Sequence, residues 1–205
     1  MEMIAMTAPS SPEQELKALI ADAQAQPARI ASFLDGLSHA ERVSASRSLG
    51  ARVQAKLWHK VDGFGPLSFD DFVPRGTPAL TPVRHYGRNS QPAFTIFEKR
   101  FYRTGNGDEV AGANFQAIQA ITGPGYFVCG FDAARHEVLI DYSRVPTVKP
   151  EGFLPIRSND VGLARVIYRP WVDVMRRVST HVTIGQARRK DKWMGFFFVL
   201  CREQP

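Results

Sequence analysis

Apolar residues recur with helical spacing in the first third of the chain. In the first repeat they occupy positions i, i+3, i+4 and i+7, as Leu16, Leu19, Ile20 and Ala23. Ser11 supplies an N-cap before this repeat, and the spacing recurs after Pro27 and again after Ser38, where it continues to Val61. The pattern predicts three helices within residues 11–62. Short amphipathic helices must bury their apolar stripes, so we expect these helices to pack on a neighbouring sheet.

Beyond residue 92 the pattern changes to short stretches rich in β-branched and aromatic residues. These stretches predict strands at residues 93–103, 125–131, 137–142, 172–187 and 193–202. The short segments 132–136 and 188–192 predict hairpin loops, and no strand–helix–strand alternation is present, so the sheet should be antiparallel. Aromatic residues occupy both faces of several strands. The sequence therefore predicts an α+β fold in which the three-helix segment packs on a curved antiparallel β-sheet or small β-barrel.

We interpret the chain as a single domain with four segments of different composition. Residues 1–10 form a loose tail, and this stretch lacks the basic and apolar parts of a secretory signal. Residues 11–62 are the helical segment, and residues 63–92 form a connector rich in Pro and Gly. Apolar residues within the connector predict that it is ordered over the surface. Residues 93–205 supply the sheet.

Composition indicates a soluble protein of a reducing compartment, and we expect it to be cytoplasmic. Of the 205 residues, 44% are hydrophobic and 22% are charged, and no apolar run approaches the length of a membrane span. The two cysteines, Cys129 and Cys201, lie in apolar strand-like stretches, where a thiol ordinarily behaves as a small buried apolar group. Neither has a second Cys or a His at zinc-ligand spacing, so we expect no metal.

The net charge of +6 is concentrated near the C-terminus. Residues 165–205 contain nine Lys and Arg against three Asp and Glu, and four of these cations lie in the segment Arg188–Lys192. A basic hairpin next to Trp193 offers one functional alternative, an interaction protein that uses this surface. Nucleic acid is not favoured as its partner, because the excess charge is modest and cations at a turn are ordinarily solvated.

One predicted strand carries polar side chains of possible functional value. Glu98, Arg100 and Tyr102 share a face because strand residues alternate between the two sides of a sheet. If this face points inward, Glu98 and Arg100 become buried charges that need partners. An arginine on an inner face is a good anchor for a carboxylate or phosphate group of a ligand.

Two histidine-containing segments add further candidates. His85 and Arg88 lie in a polar run that we interpret as a loop, and His181 lies between two hydroxyl residues on a predicted strand. Together with the strand residues they make up the predicted ligand-binding set: Arg100, Glu98, Tyr102, His181, His85 and Arg88.

These candidates favour binding of a small apolar or amphipathic molecule in a cavity of the curved sheet. The alternative is an enzyme in which His181 or His85 is a general base and Asp141 or Glu98 is its acidic partner. The sequence contains no phosphate-binding loop, dinucleotide fingerprint or hydrolase motif, so it identifies no cofactor, no catalytic residue and no reaction. It also leaves the oligomeric state open.

Overall fold

The helical part of the chain contains four helices rather than the predicted three. A computed structural model describes residues 10–92, 95–116, 123–159, 171–190 and 192–204. Within these residues the helices are α1 (Pro12–Ala21), α2 (Pro27–Gly36), α3 (His39–Arg47) and α4 (Ala51–Lys60). The third predicted helix is divided because Gly50 adopts an extended conformation and caps the start of α4. None of the helices described is long and apolar enough to cross a membrane.

The sheet is a closed barrel of eight strands. Each strand pairs antiparallel with the next in sequence, and β1 pairs with β8 to close the barrel. The strands are β1 (Val83–Asn89), β2 (Ile96–Arg103), β3 (Val110–Phe115), β4 (Phe127–Asp132), β5 (Glu137–Asp141), β6 (Trp171–Arg177), β7 (Val182–Arg189) and β8 (Lys192–Arg202). The predicted α+β fold with helices packed on a small barrel is confirmed.

Two strand assignments from the sequence are wrong in detail. β1 lies inside residues 63–92, so the run containing His85 and Arg88 is a strand and not a loop. The predicted strand 172–187 is two strands, β6 and β7, joined by a turn at residues 178–181. The Val178 N–H donates to the Val182 carbonyl at 3.0 Å and closes this turn. Ser179 and Thr180 favour such a turn, although their alternation with valines imitates a continuous strand.

Aromatic rings fill part of the barrel interior by packing onto glycines of neighbouring strands. Phe97 lies against Gly87, Phe127 against Gly112, and Phe198 against Gly185. A Cβ at these three glycines would lie between 2.3 and 2.6 Å from a ring atom, far inside van der Waals contact. The strands therefore need glycine here for packing, because the rings occupy the space of a side chain.

Two separate layers cover the outside of the barrel. The helices pack on the outer face of β6, β7 and β8, where buried residues such as Leu57 of α4 and Val199 of β8 belong to one apolar cluster. On the opposite side, residues such as Phe153 of the segment 143–159 pack on the outer face of β2, β3 and β4. Outward-facing apolar residues are thus buried as well as inward-facing ones.

One end of the barrel, which we call the plugged end, is covered by the connector between α4 and β1. Phe72 of the connector is fully buried and stacks on His85 at the inner wall. Asp70 and Asp71, in the short 3₁₀ helix Phe69–Asp71, pair with arginines of the barrel strands. Arg103 lies 2.6 Å from Asp70, and Arg177 lies 2.6 Å from Asp71. The connector is therefore an ordered closure of the barrel.

Candidate functional site

The face of β2 that carries Glu98, Arg100 and Tyr102 points outward. Arg100 pairs with Glu98 at 2.9 Å, and its guanidinium lies over the ring of Phe115. Tyr102 is fully buried beneath the segment 143–159, and its hydroxyl donates to the Val148 carbonyl at 2.9 Å. The Tyr102 contact ties the outer covering layer to the barrel, and the Arg100 contacts join β2 to β3.

The two histidines lie in different environments near the plugged end. His85 faces inward, and its Nε2 lies 3.0 Å from the Phe72 carbonyl. Burial lowers the pKa of His85 to about 3, so the ring is neutral. His181 is half-buried on the outside, with its ring nitrogens 3.2 Å from Arg202 and 2.8 Å from Gln204. Burial, followed by the charge of Arg202, lowers its pKa.

The structure does not bring the predicted set together around one cavity. Arg88 points outward beneath the helices, where it donates to the Arg47 carbonyl at 2.7 Å. Among the hydrogen bonds of the described residues, neither His85 nor His181 has a carboxylate partner. Asp141 is half-buried and accepts from the backbone and hydroxyl of Ser143.

The opposite face of β2 leads to a different constellation inside the barrel. Four buried polar residues lie there, and we call them the interior polar cluster: Lys99, Asn114, Tyr142 and Asp173. Lys99 of β2 lies directly across from Asn114 of β3 and donates to its Oδ1 at 2.8 Å. Lys99 also hydrogen-bonds to the Tyr142 hydroxyl, and its Nζ lies 3.5 Å from Asp173 Oδ2. The Tyr142 hydroxyl donates to the same carboxylate oxygen at 3.2 Å.

Burial disfavours the charged forms of both Lys99 and Asp173. Desolvation lowers the pKa of Lys99, although the charge of Asp173 opposes the change. Desolvation likewise raises the pKa of Asp173, against the effect of Lys99 and the Tyr142 hydrogen bond. Cys129 also faces inward, and burial raises the pKa of its thiol. Ionisable groups with perturbed pKa values are concentrated at functional sites, although structural ion pairs perturb them as well.

The interior beside the polar cluster retains some accessible surface. Lys99 is 3% exposed and Asp173 is 7% exposed, and their inward-facing neighbour Ala187 is 8% exposed. In contrast, Val138 and Met175, further toward the plugged end, have no exposed surface. A residue has exposed surface only where a water-sized sphere can touch it. A small part of each of these three residues therefore remains in contact with solvent.

Aromatic side chains mark the rim of the barrel at the end opposite the plug. Trp171, the first residue of β6, lies two residues before Asp173 on the same face, and its ring centroid is 6.1 Å from that of Phe196. Phe196 is exposed. The buried indole N–H of Trp171 has no hydrogen-bond partner within the described part of the chain. This N–H is a donor available to an acceptor group of a bound molecule.

An open groove of about 740 Å³ lies at the plugged end, between the connector and the β2–β3 side of the barrel. Arg75, Arg103 and Asp70 line it, and the two arginines pair with Asp70 at 2.5 and 2.6 Å. These charges are satisfied within the protein. The groove charges are partly exposed, whereas Lys99 and Asp173 of the interior polar cluster are buried, and buried ionisable pairs are the stronger indication of a site.

The inward position of Lys99 could have been found from the sequence by comparing the two faces of β2. One face of the strand carries Lys99 between Phe97 and Phe101. The other face carries the two charged residues Glu98 and Arg100. The face with more apolar surface is the better choice for the barrel interior. Asp173 gave a second signal, because it is an acidic residue between Val172 and Val174 in a predicted strand.

Within the described residues, no group of three or more His, Cys, Asp or Glu side chains is placed to hold a metal ion. Comparison with known proteins does not assign the site. Neither a family model, nor a curated protein, nor a solved structure matches this chain.

Proposed function

We propose that the protein binds a small, partly apolar molecule inside the barrel, with a polar group of that molecule held by the interior polar cluster. The observation that carries this proposal is the buried pair of Lys99 and Asp173, 3.5 Å apart on the inner wall of the barrel. The fold is compatible with such a role, since eight-stranded barrels can hold one small ligand.

The position of the cluster supports binding from the end opposite the plug. The connector closes one end with Phe72, whereas Trp171 and Phe196 lie at the other. Aromatic walls with a few polar groups are typical of small-molecule sites. A ligand acceptor can replace Asn114 or Tyr142 on the Lys99 ammonium, and the Trp171 indole N–H has no partner among the described residues. We therefore infer that the polar group of the ligand is an acceptor, such as a carboxylate or a carbonyl oxygen.

Energetics give a second reason to regard the Lys99–Asp173 pair as functional. Removing two charges from water costs several kcal/mol per ion, and an apolar pair of the same shape is often as stable or more stable, by about 1–4 kcal/mol. A barrel interior built for stability alone gains little from this pair. A binding site that recognises a polar group of a ligand, in contrast, requires polar partners such as Lys99 and Asp173.

Two variants test the proposal: one changes the inward-facing residues Lys99 and Asp173, and the other changes the outward-facing Arg100. Lys99→Met combined with Asp173→Asn removes the inward charges and keeps the side-chain volumes close to those of the wild type. Arg100→Met is the matched control, since it removes a cation from the outer face of the same strand. The probe is 1-anilinonaphthalene-8-sulfonate, which is apolar and anionic, and its binding is followed by fluorescence.

We expect one saturable site in the wild type and in Arg100→Met. The double variant should bind the probe roughly tenfold to a hundredfold more weakly, because a hydrogen bond to a charged group contributes about 1.5–3 kcal/mol. Its thermal unfolding temperature should stay the same or rise. Equal affinity in the double variant and the wild type, or loss of binding in Arg100→Met alone, would contradict the interior site.

A further inference from the structure

The surroundings of Lys99 differ from those of an ordinary buried cation. Four aromatic rings, those of Phe97, Phe127, Tyr142 and Phe198, have centroids 5.0 to 5.6 Å from its Nζ. Such rings attract the charged form of the amine, whereas desolvation inside the barrel opposes it. Because the Tyr142 hydroxyl connects Lys99 Nζ to Asp173 Oδ2, transfer of one proton within the cluster gives an uncharged amine and an uncharged carboxylic acid, without moving net charge into or out of the interior.

We propose that Lys99 is a nucleophilic amine that condenses with the carbonyl group of an aldehyde or ketone bound in the barrel, forming an imine. The proposal rests on the proposed function, because the carbonyl compound must first enter the interior site. It names the substrate class of that site and the residue that reacts.

The geometry of the cluster supplies each proton that the condensation needs. Starting from the neutral pair, the Nζ lone pair attacks the carbonyl carbon while Asp173 protonates the carbonyl oxygen. The nitrogen of the adduct then returns a proton to Asp173, which passes it to the hydroxyl group, and water leaves. One amine, one carbonyl and one carboxylic acid give a protonated imine, one carboxylate and one water.

Two neighbours position the reacting groups. The Tyr142 hydroxyl contacts both Lys99 Nζ and Asp173 Oδ2, so it can pass a proton between them. Asn114 holds the amine through its Oδ1 at 2.8 Å, and its own amide nitrogen donates to the Gly125 carbonyl at 3.3 Å. The product is an ion pair of iminium and carboxylate, which replaces the pair of Lys99 and Asp173 in the same place.

Reductive trapping tests this chemistry. The intact protein is incubated with benzaldehyde and sodium cyanoborohydride at about pH 6.5, where ordinary lysines, with a pKa of about 10.4, are almost fully protonated. Intact-mass and peptide analysis then locate the benzyl groups among the seven lysines of the chain. Lys190→Met is the matched control for Lys99→Met, because it removes an exposed amine from the β7–β8 turn.

Among the lysines, we expect Lys99 to be benzylated at least tenfold faster than any other, while the α-amino group, with a pKa of about 7.7–8.0, reacts independently and is counted separately in the peptide analysis. The modification should disappear in Lys99→Met and persist in Lys190→Met. Benzyl groups on exposed lysines alone, with Lys99 unmodified, would overturn the imine proposal. If the anilinonaphthalene probe still binds in a Lys99-dependent manner in that case, the binding function stands without the covalent step. If Lys99-dependent probe binding also fails, the proposed function falls with it.

Discussion

Lys99 and Arg100 are consecutive cations on β2 with opposite surroundings. The Arg100 guanidinium is partly exposed, pairs with Glu98 and lies over the ring of Phe115. Lys99 has almost no exposed surface and contacts polar groups of three other segments of the chain. Because side chains alternate between the two faces of a strand, Lys99 faces the barrel interior and its neighbour Arg100 faces outward.

His85 should make the protein less stable in acid. Its pKa is lowered to about 3 in the folded state, against about 6.5 when unfolded, so the unfolded chain binds the proton more tightly between these values. Stability from the neutral ring is present above about pH 6.5 and is lost as the pH falls toward 3. From pH 7 to 4.5 this loss is roughly 2–3 kcal/mol.

The measurement is the free energy of unfolding by urea at both pH values. His85→Gln lowers stability at pH 7, because it removes the ring stacked on Phe72, yet it should lose roughly 2–3 kcal/mol less than the wild type on acidification. His59→Gln, at an exposed position of α4, is the matched control for the exchange of a histidine for glutamine. A wild-type pH slope in His85→Gln would show that other groups control acid unfolding.

Both cysteines should be unreactive in the folded protein. Cys129 and Cys201 are buried and unpaired, and burial raises the pKa of Cys201 to about 12. A thiol held above its ordinary pKa supplies little thiolate at neutral pH, and thiolate is the reactive form. A disulfide-exchange reagent should therefore label neither residue in native buffer and both after denaturation. Rapid labelling of one native thiol would show that its segment opens readily.

At the scale of elements, the barrel depends on close contact between glycines and phenylalanine rings on paired strands. Gly185 of β7 is the tightest example, because an added Cβ would lie 2.3 Å from Phe198 Cζ and 2.7 Å from Met175 Sδ. Gly130 of β4 offers a matched contrast, since the nearest atom to its added Cβ is Leu139 Cβ at 3.7 Å.

Gly185→Ala should therefore destabilise the fold by about 1–3 kcal/mol or more, through overpacking of the interior. Gly130→Ala should change stability by less than about 1 kcal/mol, since a methyl group fits there at ordinary contact distance. Chemical denaturation measures both. Adding Phe198→Leu to Gly185→Ala should restore part of the lost stability. Equal effects of the two glycine variants would contradict the ring-on-glycine packing.

The helices and strands could be predicted from the sequence more fully than the residues that meet inside the barrel. Helical spacing around Leu16 and alternation around Phe97 depend on local geometry, so both survive in the structure. The break at Gly50 and the turn at Ser179 were missed because single residues interrupt otherwise continuous patterns. The interior polar cluster joins residues from β2, β3, β6 and the segment after β5. Only the closed topology brings them together, and no spacing along the chain encodes it.

The whole molecule is asymmetric about the barrel axis. At one end the connector inserts Phe72, and Asp70 and Asp71 fix it to strand arginines. Toward the other end lie the interior polar cluster and the rim residues Trp171 and Phe196. Helices cover one side of the outer wall and the segment 143–159 covers another. This arrangement places the buried Lys99–Asp173 pair between the plugged end and the aromatic rim.

The location of the bound probe tests the central claim most directly. Alanine methyl groups can be labelled and followed by NMR while 1-anilinonaphthalene-8-sulfonate is added. Ala187 faces the interior beside Asp173, whereas Ala45 is buried between the helices and the outer wall. We expect the Ala187 methyl signal to shift in a saturable manner and the Ala45 signal to stay unchanged. A shift of Ala45 with an unchanged Ala187 would place binding outside the barrel and contradict the interior site.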